Sequence, residues 1–278
     1  MENCRIEGFE FPQWLRTQEE VQDLSLANTS IVGSFPTWLQ PQFYLDLSMN
    51  QLSGPLPSSI GDDIPASLQV LLISDNLING SIPNSICRIN SLIVLDLSKN
   101  MLHGQIPHCG ADSLAFVFID LSSNKLSGTI PASICNLPRL GLFHVNNNSL
   151  SGMLPLALRN CTQLASLALG ENRLSGVIPT WIGENYLYLE ILSLRENTFT
   201  GSIPPSLCRL SRLRILDIGG NQLMGKIPLC FNNLSGMTVT DSPGGYSFGN
   251  EKLVQVMKGQ YLEYTTILRF LVTHGSLK

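Results

Sequence analysis

The sequence predicts an α/β solenoid, a stack of short coils that each contribute one strand to a parallel sheet, and three observations carry that prediction. First, the phrase N-x-L-x-G-x-(I/L/F)-P recurs nine times, with prolines at Pro36, Pro57, Pro83, Pro107, Pro131, Pro155, Pro179, Pro204 and Pro228. Their spacings are 21, 26, 24, 24, 24, 24, 25 and 24 residues. Second, an x-L-x-L-x alternation precedes the phrase, as in Leu95/Leu97, Ile119/Leu121 and Leu192/Leu194, which is the pattern of a short half-buried strand. Third, one coil of this length buries too few side chains to offset the entropy of ordering it, so stability must belong to the stacked array.

Each element has its own reason. Apolar residues eight before the Asn position (Leu68, Leu92, Phe116, Leu140) and two after it (Leu52, Ile78, Leu102, Leu126) complete an inward-facing set. The Asn ladder itself runs Asn50, Asn76, Asn100, Asn124, Asn148, Asn172, Asn197 and Asn221, with Thr29 in the first slot. A side-chain amide carries donors and acceptors, so it can pair turn backbone groups that water does not reach; Thr29 can do less of this. The glycine three residues before each proline permits backbone angles or close approach denied to other residues, and the proline ends strand pairing on its side.

At this point a resemblance is specific. LSGTIPASICNLPRL, LSGVIPTWIGENYLYLEILSLREN and LDLSKNMLHGQIP resemble the plant-type leucine-rich repeat, L-x-x-L-x-L-x-x-N-x-L-S-G-x-I-P, over about residues 20 to 230. The resemblance implies a right-handed leucine-rich-repeat superhelix with a concave parallel β-sheet, a second short strand near L-x-G, and a mostly irregular or 3₁₀ convex side. Residues 1–230 are read as about ten repeats, the first incomplete, since Cys4, Ile6, Gly8 and Pro12 look like a repeat tail. Residues 231–278 leave the period and are read as a truncated, non-repeat segment. Within it GMTVTDSPGGYSFGN reads as a loop, and Lys258, Gly259, Glu263 and Tyr264 are similar to the island that interrupts the repeats of plant receptor-like proteins. No cap of paired cysteines precedes the repeats, and neither a secretory signal nor a membrane span is seen.

Composition excludes several function classes. With 44% hydrophobic residues, 14% charged residues and a net charge of −4, the chain has material for a continuous core but no basic block for nucleic acid or an anionic membrane. Its four histidines share no ligand spacing and no nucleophile, zinc or phosphate-loop signature occurs, so neither catalysis, metal nor cofactor is expected. Cys87, Cys135 and Cys208, four residues after a repeat proline, are read as semi-buried thiols rather than disulfides, and the redox compartment stays open. Glycosylation acceptors at Asn28, Asn79, Asn147, Asn160 and Asn233 fit a secretory route. Arg209, Arg212 and Arg214 form a small basic cluster, read as a solvated rim or a partner contact.

Strand alternation turns the residues six, four and two before each Asn to the open face, the default recognition surface. Candidate ligand contacts there are Tyr44, Asp46, Asp96, Phe118, Asp120, His144, Glu171, Arg195 and Asp217. Two alternatives stand beside that role: Asp in L-D-L-S is ordinary repeat grammar, and the apolar column Tyr44, Val70, Val94, Phe118, Leu142 is packing. The carboxylates are expected to be water-exposed. The resemblance implies a receptor-like protein at the plasma membrane, outer face, taking an extracellular peptide, protein or glycan and signalling in defence or development with a co-receptor kinase. The rivals are a secreted inhibitor of cell-wall hydrolases and a receptor-kinase ectodomain.

Overall fold

The computed structural model describes residues 11–18, 21–39, 43–109, 115–237, 252–257 and 260–265. Two compact units divide between Met237 and Thr238. The first is the solenoid. Nine three-residue strands, Asp23–Ser25, Tyr44–Asp46, Val70–Leu72, Val94–Asp96, Phe118–Asp120, Leu142–His144, Ser166–Ala168, Ile191–Ser193 and Ile215–Asp217, form one parallel sheet in chain order. The register places each residue opposite its counterpart one coil on, as in Leu71↔Leu95, Leu95↔Ile119 and Ile119↔Phe143. The expected second strand is present too. Its pairs run in a three-stranded sheet (Val32–Gly33, Gln51–Pro55, Leu77–Asn79) and a six-stranded one from His103–Gly104 to Gln222–Leu223, with a bridge between Ser81 and His103.

The Asn ladder fastens neighbouring coils to each other. In Asn100, Nδ2 donates to the carbonyls of Leu97 and Ser98 in its own turn and of Ile73 in the preceding coil, while Oδ1 accepts the preceding coil's Ile78 N–H at 3.0 Å. Asn76, Asn124, Asn148, Asn172, Asn197 and Asn221 repeat that set, as in the acceptance of Leu52, Leu102, Leu126, Leu150, Leu174 and Phe199 N–H. Thr29 donates its hydroxyl to Leu26 O at 2.7 Å, with Asn50 Oδ1 of the next coil 3.1 Å away. The residue before each Asn is left-handed: Met49, Asp75, Lys99, Ser123, Asn147, Glu171 and Glu196 have φ between +47° and +57°. That conformation costs an L residue on the order of 1–2 kcal/mol, and the Asn bonds on either side hold it in place.

The outer turns follow coil length. The 24-residue coils whose turns are described use 3₁₀ helices, such as Ala132–Asn136 and Leu156–Asn160, whereas the 26- and 25-residue coils after Pro57 and Pro179 carry single α turns, Ile60–Asp63 and Trp181–Asn185. An α turn stores more residues per unit length than a 3₁₀ turn, so the extra residues are absorbed without breaking the stack. In the longer coil Tyr186 is fully buried, donates its hydroxyl to Leu158 O at 2.7 Å and meets Trp181 edge-on.

The same turns correct the cysteine reading. Cys87 is bonded to Cys109 and Cys208 to Cys230, each across 22 residues, so these are disulfides and not thiols. The geometry recurs at four places in the described array: the residue four after one proline lies against the residue two after the next. Where the first is Gly61 or Gly183, it packs so closely on Ser85 or Ser206 that a Cβ would come within 1.7 or 2.0 Å of their carbonyl oxygens. Where both are cysteines, they bond. Cys161, six after its proline, is a buried thiol.

Inward columns form one core from Leu15 to Leu213, and Leu234 repeats the position of Leu210 beyond residue 230. At the other end Pro12 opens the 3₁₀ turn Gln13–Thr17, while Cys4, Ile6 and Gly8 lie outside the described residues. The second unit contains an antiparallel pair, Lys252–Met257 with Gln260–Thr265. Glu263 and Tyr264 fall in its second strand; Lys258 and Gly259 lie outside the described residues, as does the expected loop apart from Gly236 and Met237, which sit in the 3₁₀ turn Ser235–Met237.

Candidate ligand-recognition surface

Strand periodicity sets the nine-stranded sheet's open face into three columns, and register aligns them coil by coil. The middle column holds Asp46, Asp96, Asp120, His144 and Asp217. Its carboxylates are not the open, water-washed groups expected from an exposed sheet: Asp46, Asp96 and Asp120 are buried, Asp96 at 2% exposure. The physical reason lies in the turn that follows. Asp96 and Asp120 each accept the N–H of the serine two residues on, Ser98 and Ser122, at 2.8 Å. Asp46 accepts both the N–H and the hydroxyl of Ser48, and Asp217 accepts Gly219 N–H at 3.2 Å. L-D-L-S is thus a capping device as well as a surface feature.

The structure gathers the candidates into three groups. Tyr44 donates its hydroxyl to Asp46 Oδ2 at 3.3 Å near the first strands. Phe118, Asp120 and His144 form the centre: the Phe118 and His144 rings meet edge-to-face at 5.9 Å, and His144 Nδ1 lies 3.6 Å from Asp120 Oδ2. Arg195 lies 3.6 Å from Asp217 and 3.3 Å from Glu196. Its stem crosses Gly170, where a Cβ would come within 2.9 Å of Arg195 Cγ, so that glycine makes room for the guanidinium to lie along the sheet. Glu171 stands apart on the rim, exposed, at the left-handed position.

Ser166 belongs to the central group although the sequence reading passes over it. It holds the slot six before Asn172 in a column that is apolar from Val70 to Leu142, and its Oγ is 2.8 Å from His144 Nε2. Asp120, His144 and Ser166 therefore line up as an acid–base–hydroxyl relay across three adjacent strands. Ser166 is 2% exposed and its N–H is bonded to Gly141 O in the sheet. What the relay does is fix the His144 ring from both sides. The apolar column beside it, Val70, Val94, Phe118 and Leu142, is buried by side-to-side packing.

Among the described residues no group of side chains could hold a metal ion, and no helix is long and apolar enough to cross a membrane. The glycosylation acceptors Asn28, Asn79, Asn147 and Asn160 are all exposed.

Leucine-rich-repeat family models match residues 162–223 and residues 43–62, 67–89 and 116–137. Receptor-like protein 53 of Arabidopsis thaliana is 40% identical over 86 residues, 30% of this chain and 9% of that protein. Receptor-like protein 32 is 36% identical over 90 residues, 30% of this chain and 10% of its own length. The chain therefore matches only about a tenth of these relatives. Among solved structures, the plant peptide hormone receptor RGFR1 in complex with RGF2 superposes with a TM-score of 0.76 at 34% identity, over 82% of this chain and 37% of that one. The Arabidopsis receptor kinase HAESA, in complex with the peptide hormone IDA and the co-receptor SERK1, gives 0.69 at 34% identity, over 77% and 36%. The repeats, the Asn ladder, the two parallel sheet systems and these likenesses converge: the chain is a leucine-rich-repeat solenoid, similar over most of its length to plant receptor ectodomains and over a stretch of its repeats to plant receptor-like proteins.

Proposed function

We propose that the chain is a ligand-recognition module of a cell-surface receptor-like protein, that it takes an extended extracellular peptide across the nine-stranded sheet, and that it catalyses nothing. The observation that carries this is the graded face itself. An apolar column, an acid–histidine column and a third column that is serine in four consecutive coils (Ser48, Ser74, Ser98 and Ser122) run side by side in register, which suits a chain presenting alternating apolar and polar side chains. Tyr44, Asp46, Asp96, Phe118, Asp120, His144, Glu171, Arg195 and Asp217 mark the proposed footprint: Tyr44, Glu171, Arg195 and Asp217 keep exposed surface for direct contact, and the buried Asp46, Asp96, Phe118, Asp120 and His144, the last oriented by Ser166, hold the face in shape beneath them. The peptide complexes of RGFR1 and HAESA support a peptide over a glycan, and HAESA's co-receptor supports signalling through a partner kinase. Two disulfides and four exposed glycosylation acceptors support an oxidising, secretory setting at the outer face of the plasma membrane.

The test is a screen of the glycosylated chain against an immobilised synthetic peptide library, followed by Kd measurement on the selected peptides. Substituting Glu171→Lys or Arg195→Ala is expected to weaken binding on the order of tenfold, the size of one lost polar contact. Binding that is insensitive to both, while Met153→Ala on the lateral face weakens it, would overturn the assignment.

A further inference from the structure

The two disulfides hold equivalent positions but unequal surroundings. Cys87–Cys109 joins two coils in the interior of the array; Cys87 is buried at 9% exposure and Cys109 is half-exposed and packed against the core. Cys208–Cys230 ties the outer turn Leu229–Asn233 to the coil before it, and both of its cysteines are half-exposed. Leu229, next to Cys230, is 89% exposed. Beyond the disulfide, that turn rests on the preceding coil through a short set of contacts, among them Gly236 packed closely on the Arg212–Leu213 backbone. Phe231 is partly buried, Leu234 is buried, and Ser235 Oγ donates to Ser211 O at 3.3 Å; its backbone bonds, Phe231 to Pro228 and Leu234 to Phe231, are internal. Arg209 follows Cys208 and is exposed, and Arg212 is exposed with its guanidinium over the Tyr188 ring.

We infer that Cys208–Cys230 is a thiol-exchange site, open to an anionic low-molecular-weight thiol, and that its cleavage releases the outer turn of residues 229–237. A thiolate attacks Cys230 Sγ, the S–S bond breaks, and the electron pair leaves on Cys208 Sγ as a thiolate beside Arg209, where positive charge favours the anion. A second thiolate attacks the mixed disulfide, releasing the small-molecule disulfide and the Cys230 thiolate. Two thiols are oxidised and one protein disulfide is reduced. Arg209 and Arg212 would concentrate an anionic thiol near the bond, a role for the basic cluster that ligand recognition leaves unused. The inference is independent of what the sheet binds.

The experiment treats the oxidised chain with reduced glutathione, quenches with iodoacetamide and follows each cysteine by peptide mass spectrometry. Cys208 and Cys230 are expected to alkylate about tenfold faster than Cys87 and Cys109, because exchange follows access. Arg209→Glu is expected to slow the reaction with glutathione but not with uncharged 2-mercaptoethanol. Hydrogen exchange is expected to rise in residues 229–237 and stay unchanged in residues 118–144. Equal rates at the two disulfides, prior cleavage of Cys87–Cys109, or undiminished protection of residues 229–237 after cleavage would each overturn the inference.

Discussion

Substituting Asn148→Ala tests the reasoning that joins sequence to fold. Asn148 Oδ1 accepts Leu126 N–H at 2.9 Å, and Nδ2 donates to the carbonyls of Leu121, Val145 and Asn146. The three carbonyls keep another donor each: Asn124 Nδ2 for Leu121, Asn172 Nδ2 for Val145, and Ser123 N–H for Asn146. Leu126 N–H, in a buried residue, loses its acceptor altogether. One orphaned buried amide costs about 1–3 kcal/mol and three shared bonds add a fraction each, so the expected loss is about 2–3 kcal/mol. Because a repeat array need not unfold in one step, the assay is native-state hydrogen exchange at the Leu126 amide and its neighbours rather than a single melting midpoint. A loss of 2 kcal/mol corresponds to exchange about 30-fold faster. Unchanged exchange at Leu126 in the variant would refute the claim that the ladder fastens one coil to the next.

Other outcomes follow from single positions. Gly183→Ala places a methyl 2.0 Å from Ser206 O, a backbone atom, and should destabilise by at least about 2 kcal/mol. Gly219→Ala, whose nearest neighbour is Asp217 Oδ1 at 3.5 Å, should stay within about 0.5 kcal/mol of the parent in urea titration. Lys99→Gly relieves a φ of +52° and should gain about 0.5–1 kcal/mol after the added unfolded-state entropy is subtracted; a loss would mean the Lys99 side chain makes a compensating contact. Expressed through a plant secretory route, the chain should lose mass on endoglycosidase treatment at one or more of Asn28, Asn79, Asn147 and Asn160, and a chain with all four unmodified would contradict the secretory reading.

The parts of the fold most legible in the sequence are those where one residue type has one job. Asn at the turn announces itself because few side chains can donate to carbonyls and accept an amide at once. Leu at the inward positions announces itself by period. The disulfides escape because the paired cysteines belong to different coils, so no close spacing flags them; the signal was the equal 22-residue interval from Cys87 to Cys109 and from Cys208 to Cys230. The left-handed residues are only half legible, because Met49, Lys99 and Glu196 carry no backbone signature, whereas Asn28, Asp75, Asn147 and Gly220 in the same slot are types that tolerate that conformation. On the open face, Phe118, Asp120 and His144 could be named from alternation alone. Ser166 could not, since its contact with His144 depends on a neighbouring strand's register and not on its own. Burial of the aspartates likewise follows from the turn each one caps, which a column drawn on a flat sheet does not convey.

The most direct test of the nine-stranded sheet as the recognition surface is site-specific photo-crosslinking to the selected peptides. A photoreactive phenylalanine analogue is placed at Tyr44 or Glu171 on the sheet and rim, or at Met153 on the lateral face, which is 71% exposed. Adducts at positions 44 and 171, competed by unlabelled peptide and lacking at 153, are the expected result. Preferential crosslinking at 153, or equal yields at all three positions, would contradict the central claim.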